Sequence, residues 1–328
     1  MRQPEFWSRN DLAARMIAAA LSPLGFLYGA SVAWKHRHQR PYRSRAAIVC
    51  VGNLTVGGSG KTPVAIALAC LVQAKGIPVA FLARGYRRRS SNAILVDVRK
   101  HDAAAVGDEA MLLARVAPTI VAGDRAEGAR LAERNGAQVI VMDDGHQNFT
   151  LAKDLSLVVV DGESAFGNDR MVPAGPLRES VQQGLARADA VLVMGDGTPS
   201  LSGFTGPVAR AWLTSDRRFD GKRLVGFAGI GRPDKFFATL RAQGAKLVET
   251  HAFTDHHIYS AAELTMLRGR AMGMGAGLIT TEKDFVRLDA SQRADIDVLS
   301  VQAVFENPSA LDRLLAPLLE RSIPDPCA

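Results

Sequence analysis

The sequence predicts an α/β protein: a mostly parallel sheet flanked by helices, a second and smaller α/β domain, and an N-terminal helix that associates with a membrane. Three observations carry this. Short apolar runs rich in strand formers alternate with helix-period segments, the pattern of a parallel sheet covered on both faces. The first of these runs opens directly into a glycine-rich loop ending in Gly-Lys-Thr. Ahead of all of them, residues 16–34 carry no charge.

That uncharged segment, "MIAAALSPLGFLYGASVAW", has 19 residues, the lower limit for spanning a bilayer. Ala, Gly and Ser dilute it, and Pro23 is expected to kink a helix. A buried core helix and a signal peptide are the competing readings. Export would remove the downstream nucleotide loop from ATP, so a cleaved signal fits poorly. The segment reads best as a helix lying in or dipping into the membrane interface. Trp7, Tyr28 and Trp34 suit the headgroup zone. Lys35, Arg37, Arg40, Arg43 and Arg45 follow at once and suit an anionic cytoplasmic leaflet. Residues 1–40 are assigned to this element.

The next stretch, 41–205, is the main domain. "AAIVCVG" (46–52) is its first strand and a helix follows from Lys61 to Lys75. "IPVAFLA", "PTIVAG", "QVIVMDD", "LSLVVVD" and "ADAVLVMG" continue the strands, with helical stretches at 109–116 and 125–135 between them. "GDGTPSLSGFTGP" (195–207) is rich in Gly, Pro and Ser and is taken as a linker. From 206 to 328 the alternation restarts with "RLVGFAGI", "KLVETHAF", "GLITTE" and "DVLSVQAV", giving the smaller domain with a C-terminal helix.

The glycine-rich loop spans Thr55, Val56, Gly57, Gly58, Ser59, Gly60, Lys61 and Thr62. A phosphate cradle needs backbone N–H groups aimed at the anion, a helix N-terminus, a lysine for the β/γ-phosphates and a hydroxyl for Mg²⁺. All are present between a strand and a helix, which makes the sheet P-loop NTPase-like. The strict pattern asks for glycine where Thr55 stands; a residue with negative φ is tolerable there. Pro63 costs no hydrogen bond in the first helical turn. The chain has neither the second loop lysine of one dimeric ATPase group, Val56 occupying that position, nor an N-K-x-D guanine motif.

Acidic groups suited to phosphoryl transfer come next. Asp143 and Asp144 end a strand, the usual place of a Mg²⁺-binding carboxylate, although Asp-Asp-Gly also makes ordinary turns. Asp108 and Glu109 open a helix, either as an N-cap with a first-turn charge or as a base or metal ligand near the γ-phosphate. Asp255, His256 and His257 precede a capping box, Ser260 to Glu263. Two adjacent histidines make a poor zinc site.

"GNLTVGGSGKTP", "RGYRRR", "VGDE", "DDGHQN", "GNDRMVPAGPLRE", "AGIGRPDKFF", "FTDHH" and "TTEKD" occur in this order between about residues 46 and 285. Together they closely resemble the tetraacyldisaccharide 4′-kinase family of Gram-negative bacteria, which also has Ser or Thr at the position of Thr55. The resemblance implies transfer of the γ-phosphate of ATP, with Mg²⁺, to the 4′-hydroxyl of an acylated glucosamine disaccharide 1-phosphate, giving lipid IVA. It implies work at the cytoplasmic face of the inner membrane, as a peripheral or monotopic protein. It implies Asp108 as base, assisted by His256, with Lys61 and Arg178 also in the catalytic set. Thr62, Glu109 and Asp143 are the expected metal ligands. Arg84, Tyr86, Asp144 and Arg178 are expected on the substrate side. The family commonly reads "DDGFQH", so His146 and Asn148 depart from it.

Composition is compatible with this: 47% hydrophobic and 22% charged residues are globular proportions. Three scattered cysteines argue against a disulfide framework or zinc ribbon. The net charge of +7 admits nucleic acid as a partner, but aromatic residues at 6% supply few stacking platforms, and no nucleic-acid partner is expected.

Overall fold

The computed structural model describes residues 4–9, 11–85 and 92–322. After a short 3₁₀ turn, helix α1 (Leu12–His38) begins at an Asp11 cap whose side chain accepts from Ala14 N. It continues through Pro23 as one helix rather than breaking there. Only Ala14, Ala18 and Gly25 of α1 are buried. A Cβ on Gly25 would stand 2.9 Å from Met171 O, so the small residue allows the helix to lie flat on the 166–171 loop. The rest of α1 is bare: Phe26 is 70% and Leu27 64% exposed. The core-helix reading fails on that exposure. By length and composition this helix could cross a membrane.

The main sheet is laid down by β1 (Ala47–Gly52), β2 (Val79–Ala83), β3 (Ile94–Leu95), β4 (Thr119–Val121), β5 (Val139–Asp143), β6 (Leu155–Asp161), β7 (Ala190–Met194) and β8 (Val208–Thr214). Between them run α2 (Lys61–Ala74), α3 (Ala103–Val106), α4 (Asp108–Leu113), α5 (Arg125–Arg134) and α6 (Val181–Leu185). The chain then forms a second sheet from β9 (Arg223–Ala228), β10 (Lys246–Ala252), β11 (Gly277–Thr281) and β12 (Ile296–Leu299), with α7 (Pro233–Ala242), α8 (Ala261–Gly273) and α9 (Glu282–Arg287). It closes with β13 (Gln302–Phe305) and α10 (Pro308–Ser322).

The first sheet has nine strands in the order β13-β8-β7-β6-β1-β5-β2-β4-β3. Only β3 and β13 pair antiparallel. The second has four parallel strands, β10-β9-β11-β12. The apolar strand runs are buried from end to end because helices cover both faces. Val64, Leu68 and Val72 of α2 share one core with Leu311 and Leu315 of α10; Ala129 and Ala132 of α5 pack on the opposite face against Ile48 and Ile140.

Two boundaries differ from expectation. The segment 195–207 is a loop between β7 and β8, which pair in parallel within one sheet, so it does not separate domains. The run 297–304 is divided: Ile296–Leu299 ends the small sheet, whereas Gln302–Phe305 returns to pair with β8. The smaller unit therefore lies between β8 and β13, and α10 belongs to the large one. Periodicity could not reveal this, because a strand's hydropathy does not say which sheet it joins.

β1 lies between β5 and β6, where the chain has wound outward one way and then the other. This switch point is the crevice where open α/β sheets bind ligands, outside the carboxyl ends of the strands. The loop after β9 in the small unit closes over it: a Cβ on Gly231 would lie 3.9 Å from Gly58 N.

Candidate active site

The loop from Asn53 to Gly60 leaves buried β1 and turns into α2. Gly57 and Gly60 have φ of 114° and 86°, the left-handed region where a side chain would clash. Asn53 Nδ2 donates to Ser59 Oγ at 3.1 Å across the loop. Its outer flank is braced by an antiparallel bridge between Thr55 and Leu177 and by Val56 N donating to Pro176 O at 2.8 Å. Thr55 is thus extended, so the glycine of the strict pattern is unnecessary.

Lys61 lies back over the loop, with Nζ 3.4 Å from Gly57 O and 3.7 Å from Asp144 Oδ1. Burial pulls its pKa down, and Asp144 opposes that. Arg178 Nη1 donates to Asp144 Oδ1 at 2.8 Å and to Gln147 Oε1 at 3.3 Å. Burial would raise the Asp144 carboxyl, but Lys61 and Arg178 hold it well below the usual carboxylate range. Lys61, Asp144 and Arg178 therefore form one charged unit beside the phosphate loop.

Thr62 Oγ1 donates to Asp143 Oδ2 at 2.9 Å. Asp143 Oδ1 is buried with no hydrogen-bond partner. Burial and neighbouring Asp144 push this carboxyl up to about 6. An orphaned buried carboxylate oxygen beside a hydroxyl is a hard-oxygen donor pair that fits Mg²⁺. Among the described residues no group of three acidic, His or Cys side chains could hold a metal alone. That suits an ion completed by waters and substrate phosphates. Glu109 Oε1 is 2.5 Å from Lys283 Nζ, an ion pair that the sequence did not foreshadow.

Asp108 follows Gly107, which occupies the cap position of α4, so Asp108 is the first helical residue and not the N-cap. Its carboxylate instead faces the small unit. His256 Nδ1 stands 2.8 Å from Asp108 Oδ2, and Arg287 donates to the same oxygen from Nε at 2.7 Å, with Nη2 in ion-pair contact at 2.5 Å. Burial alone would raise this carboxyl; the bonds from His256 and Arg287 outweigh it and hold the pKa at about 2. His256 has φ of 57°, uncommon for a residue with a Cβ, and its N–H donates to Gly229 O at 3.0 Å. That conformation turns the ring toward the large unit. His257 points elsewhere, stacking on Phe253 at 4.7 Å and bonding Glu263 Oε1 at 3.0 Å.

The structure thus brings Lys61, Thr62, Asp143, Asp144 and Arg178 together at one switch point and sets the Asp108–His256 pair across from them. Arg84 is exposed just after β2, and Tyr86 lies outside the described residues. His146 is buried, with Nδ1 3.0 Å from Ser156 Oγ and Nε2 2.9 Å from Gly184 O. Burial, together with Lys153 and Arg187, pushes its pKa down to about 3, so it is a neutral packing residue. Asn148 Oδ1 closes a local turn onto Thr150 N at 3.2 Å.

Three residues were not singled out by sequence. Arg287 and Lys283 ion-pair with the Asp108-Glu109 step; they flank Asp284 of "TTEKD", and only tertiary structure brings them there. Arg125 is buried at the start of α5 with Nε unpartnered. The signal available for it was a basic residue opening a helix, where the macrodipole disfavours one.

The family model described as tetraacyldisaccharide-1-P 4′-kinase matches residues 17–320. The tetraacyldisaccharide 4′-kinase of Rhodospirillum rubrum is 46% identical, covering 99% of this chain and 100% of that protein. That of Paramagnetospirillum magneticum is 48% identical and covers 98% of each. The crystal structure of the "apo" form of LpxK from Aquifex aeolicus in complex with ATP superposes with a TM-score of 0.76 at 25% identity, covering 92% of this chain and 99% of that one. With its phosphate loop, its acidic pair and its full-length likeness to these proteins, the chain belongs to the tetraacyldisaccharide-1-P 4′-kinase family.

Proposed function

We propose that this protein transfers the γ-phosphate of ATP to the 4′-hydroxyl of a tetraacylated glucosamine disaccharide 1-phosphate, yielding lipid IVA. The observation that carries the reading is the Asp108–His256 pair, assembled from the two units, where Gly231 of the small unit approaches both the residue before His256 and the phosphate loop at Gly58. Backbone N–H groups between Thr55 and Thr62 would cradle the triphosphate at the N-terminus of α2. Lys61 reaches the β/γ-phosphates, and its charge opposes that developing on the transferring group. Thr62 and Asp143 would hold Mg²⁺, which supplies neutralisation of the phosphate oxygens when bound.

The acceptor hydroxyl needs orientation more than prior ionisation, because phosphoryl transfer runs through a loose transition state. A carboxylate held at about 2 is ionised at any working pH. Asp108 therefore accepts a hydrogen bond from the sugar hydroxyl and takes its proton as the new P–O bond forms and the bond from the γ-phosphorus to the β–γ bridging oxygen breaks, with ADP as leaving group. His256, bonded to the other side of the carboxylate, fixes its direction. Asp144 and Arg178, with Arg84, are assigned to the substrate side. The exposed apolar face of α1 and the basic residues 35–45 support seating on the cytoplasmic face of the inner membrane. Docking of the small unit excludes water from the triphosphate.

The test is product analysis. Purified protein given ATP, Mg²⁺ and the acylated disaccharide 1-phosphate should yield a glycolipid bearing a second phosphate, on the 4′ oxygen. Release of inorganic phosphate with the lipid unchanged refutes the proposal.

A further inference from the structure

We propose that Arg287 is a positioning residue for phosphoryl transfer, fixing which oxygen of Asp108 faces the acceptor. The inference rests on the function proposed above. Arg287 closes α9, and its side chain is only 5% exposed. Its guanidinium uses every edge. Nε donates to Asp108 Oδ2 at 2.7 Å and Nη2 stands 2.5 Å from that oxygen as an ion pair, 3.5 Å from His256 Nδ1; Nη1 donates to Gly229 O and Asp284 Oδ1, each at 2.8 Å. Asp284 is itself locked by Gly229 N at 3.0 Å, Tyr259 OH at 2.9 Å and Thr281 Oγ1 at 2.6 Å. The fork is held before it meets Asp108.

Gly229 O accepts from both Arg287 Nη1 and the His256 backbone N–H. The two groups that grip Asp108 therefore hang from one carbonyl, and their spacing is set inside the small unit. Both reach the same carboxylate oxygen. The side-chain hydrogen bonds that His256 and Arg287 make to the Asp108 carboxylate both end on Oδ2, and Oδ1 is the oxygen assigned to the sugar hydroxyl. Asp108 belongs to the large unit, whereas His256 and Arg287 belong to the small one. The oriented carboxylate consequently exists only when the units are docked, and the planar fork enforces an orientation that a point charge would not.

A purely architectural ion pair would give a different signature. Activity on the acylated disaccharide is measured for R287M and R287K, alone and combined with H256A, together with KM for ATP, binding of an ATP analogue and the melting temperature. For R287M we expect kcat to fall by about 100-fold, the scale of a misplaced reacting group, with KM for ATP and analogue binding retained. R287K should recover part of that loss. In the H256A background R287M should cost less than about 3-fold, because residues acting through one carboxylate are non-additive. A folded R287M with wild-type kcat, or losses that multiply with H256A, overturns the inference. Should R287M fail to fold, R287K decides: wild-type kcat in it overturns the inference, and reduced kcat with normal KM for ATP supports it. A wild-type protein that leaves the disaccharide unphosphorylated sinks the function itself, an outcome separate from an active wild type with an indifferent Arg287.

Discussion

Replacing Asp108 with Asn separates its chemical part from its structural one. The amide keeps the size of the side chain but loses the charge that His256 and Arg287 meet at Oδ2. The carboxyl is displaced from 3.8 to about 2. At 1.36 kcal/mol per unit that displacement corresponds to roughly 2–3 kcal/mol of folding stability. Because the folded-state value lies below the unfolded one, the stabilisation is complete above about pH 4 and disappears as pH falls toward 2. Denaturant unfolding at pH 8 should find D108N less stable by about 2 kcal/mol, with the gap closing below pH 4. At pH 8, where the variant still folds, kcat should drop by at least ~100-fold with KM for ATP little changed. A folded D108N that turns over normally would remove this carboxylate from the reaction. A stability gap unchanged between pH 8 and pH 3 would refute the charge-based account of its hold on the small unit.

Lys61→Ala should nearly abolish lipid phosphorylation and weaken ATP-analogue binding by calorimetry; normal turnover would take the loop out of the mechanism. Leu24, Phe26 and Leu27, all more than half exposed on α1, should reduce co-sedimentation with anionic vesicles when changed together to Ser, while ATP-analogue binding persists. Unchanged sedimentation would assign the anchor elsewhere. His146→Phe restores the residue common in the family but strands Ser156 Oγ and Gly184 O. It should cost about 1–3 kcal/mol in denaturant unfolding and leave kcat near normal; a large loss of kcat would make His146 more than a packing residue.

The central strands β2, β4, β5, β6 and β7 were readable because each is an apolar run buried along its length, whereas β3 and β8, partly exposed, gave no such run; the loop after β1 was readable because positive φ at Gly57 and Gly60 demands glycine. The capping box at Ser260 was equally plain, since local chemistry dictates it. What sequence could not supply was long-range pairing. Gln302–Phe305 looks like any short strand until β8 receives it. Asp108 has the composition of an N-cap, and only the arrival of Arg287 and His256 from the other sheet gives it a different use. The ion pair of Glu109 with Lys283, distant in sequence, was likewise invisible. His146 stood as a departure whose effect was open, and two neutral hydrogen bonds inside the core account for it.

The strip from Met171 to Arg178 touches both ends of the molecule's task. Met171 rests on Gly25 and Gly29 of α1, Trp7 Nε1 donates to Pro173 O at 3.1 Å, and Pro176 and Leu177 brace the phosphate loop. A helix floating in lipid would thus carry the nucleotide pocket at a fixed height above the surface, coupled through eight residues of backbone. On the proposed membrane seating, an acceptor whose tails stayed in the bilayer would need only to drift sideways to meet the triphosphate, a search over a plane instead of a volume.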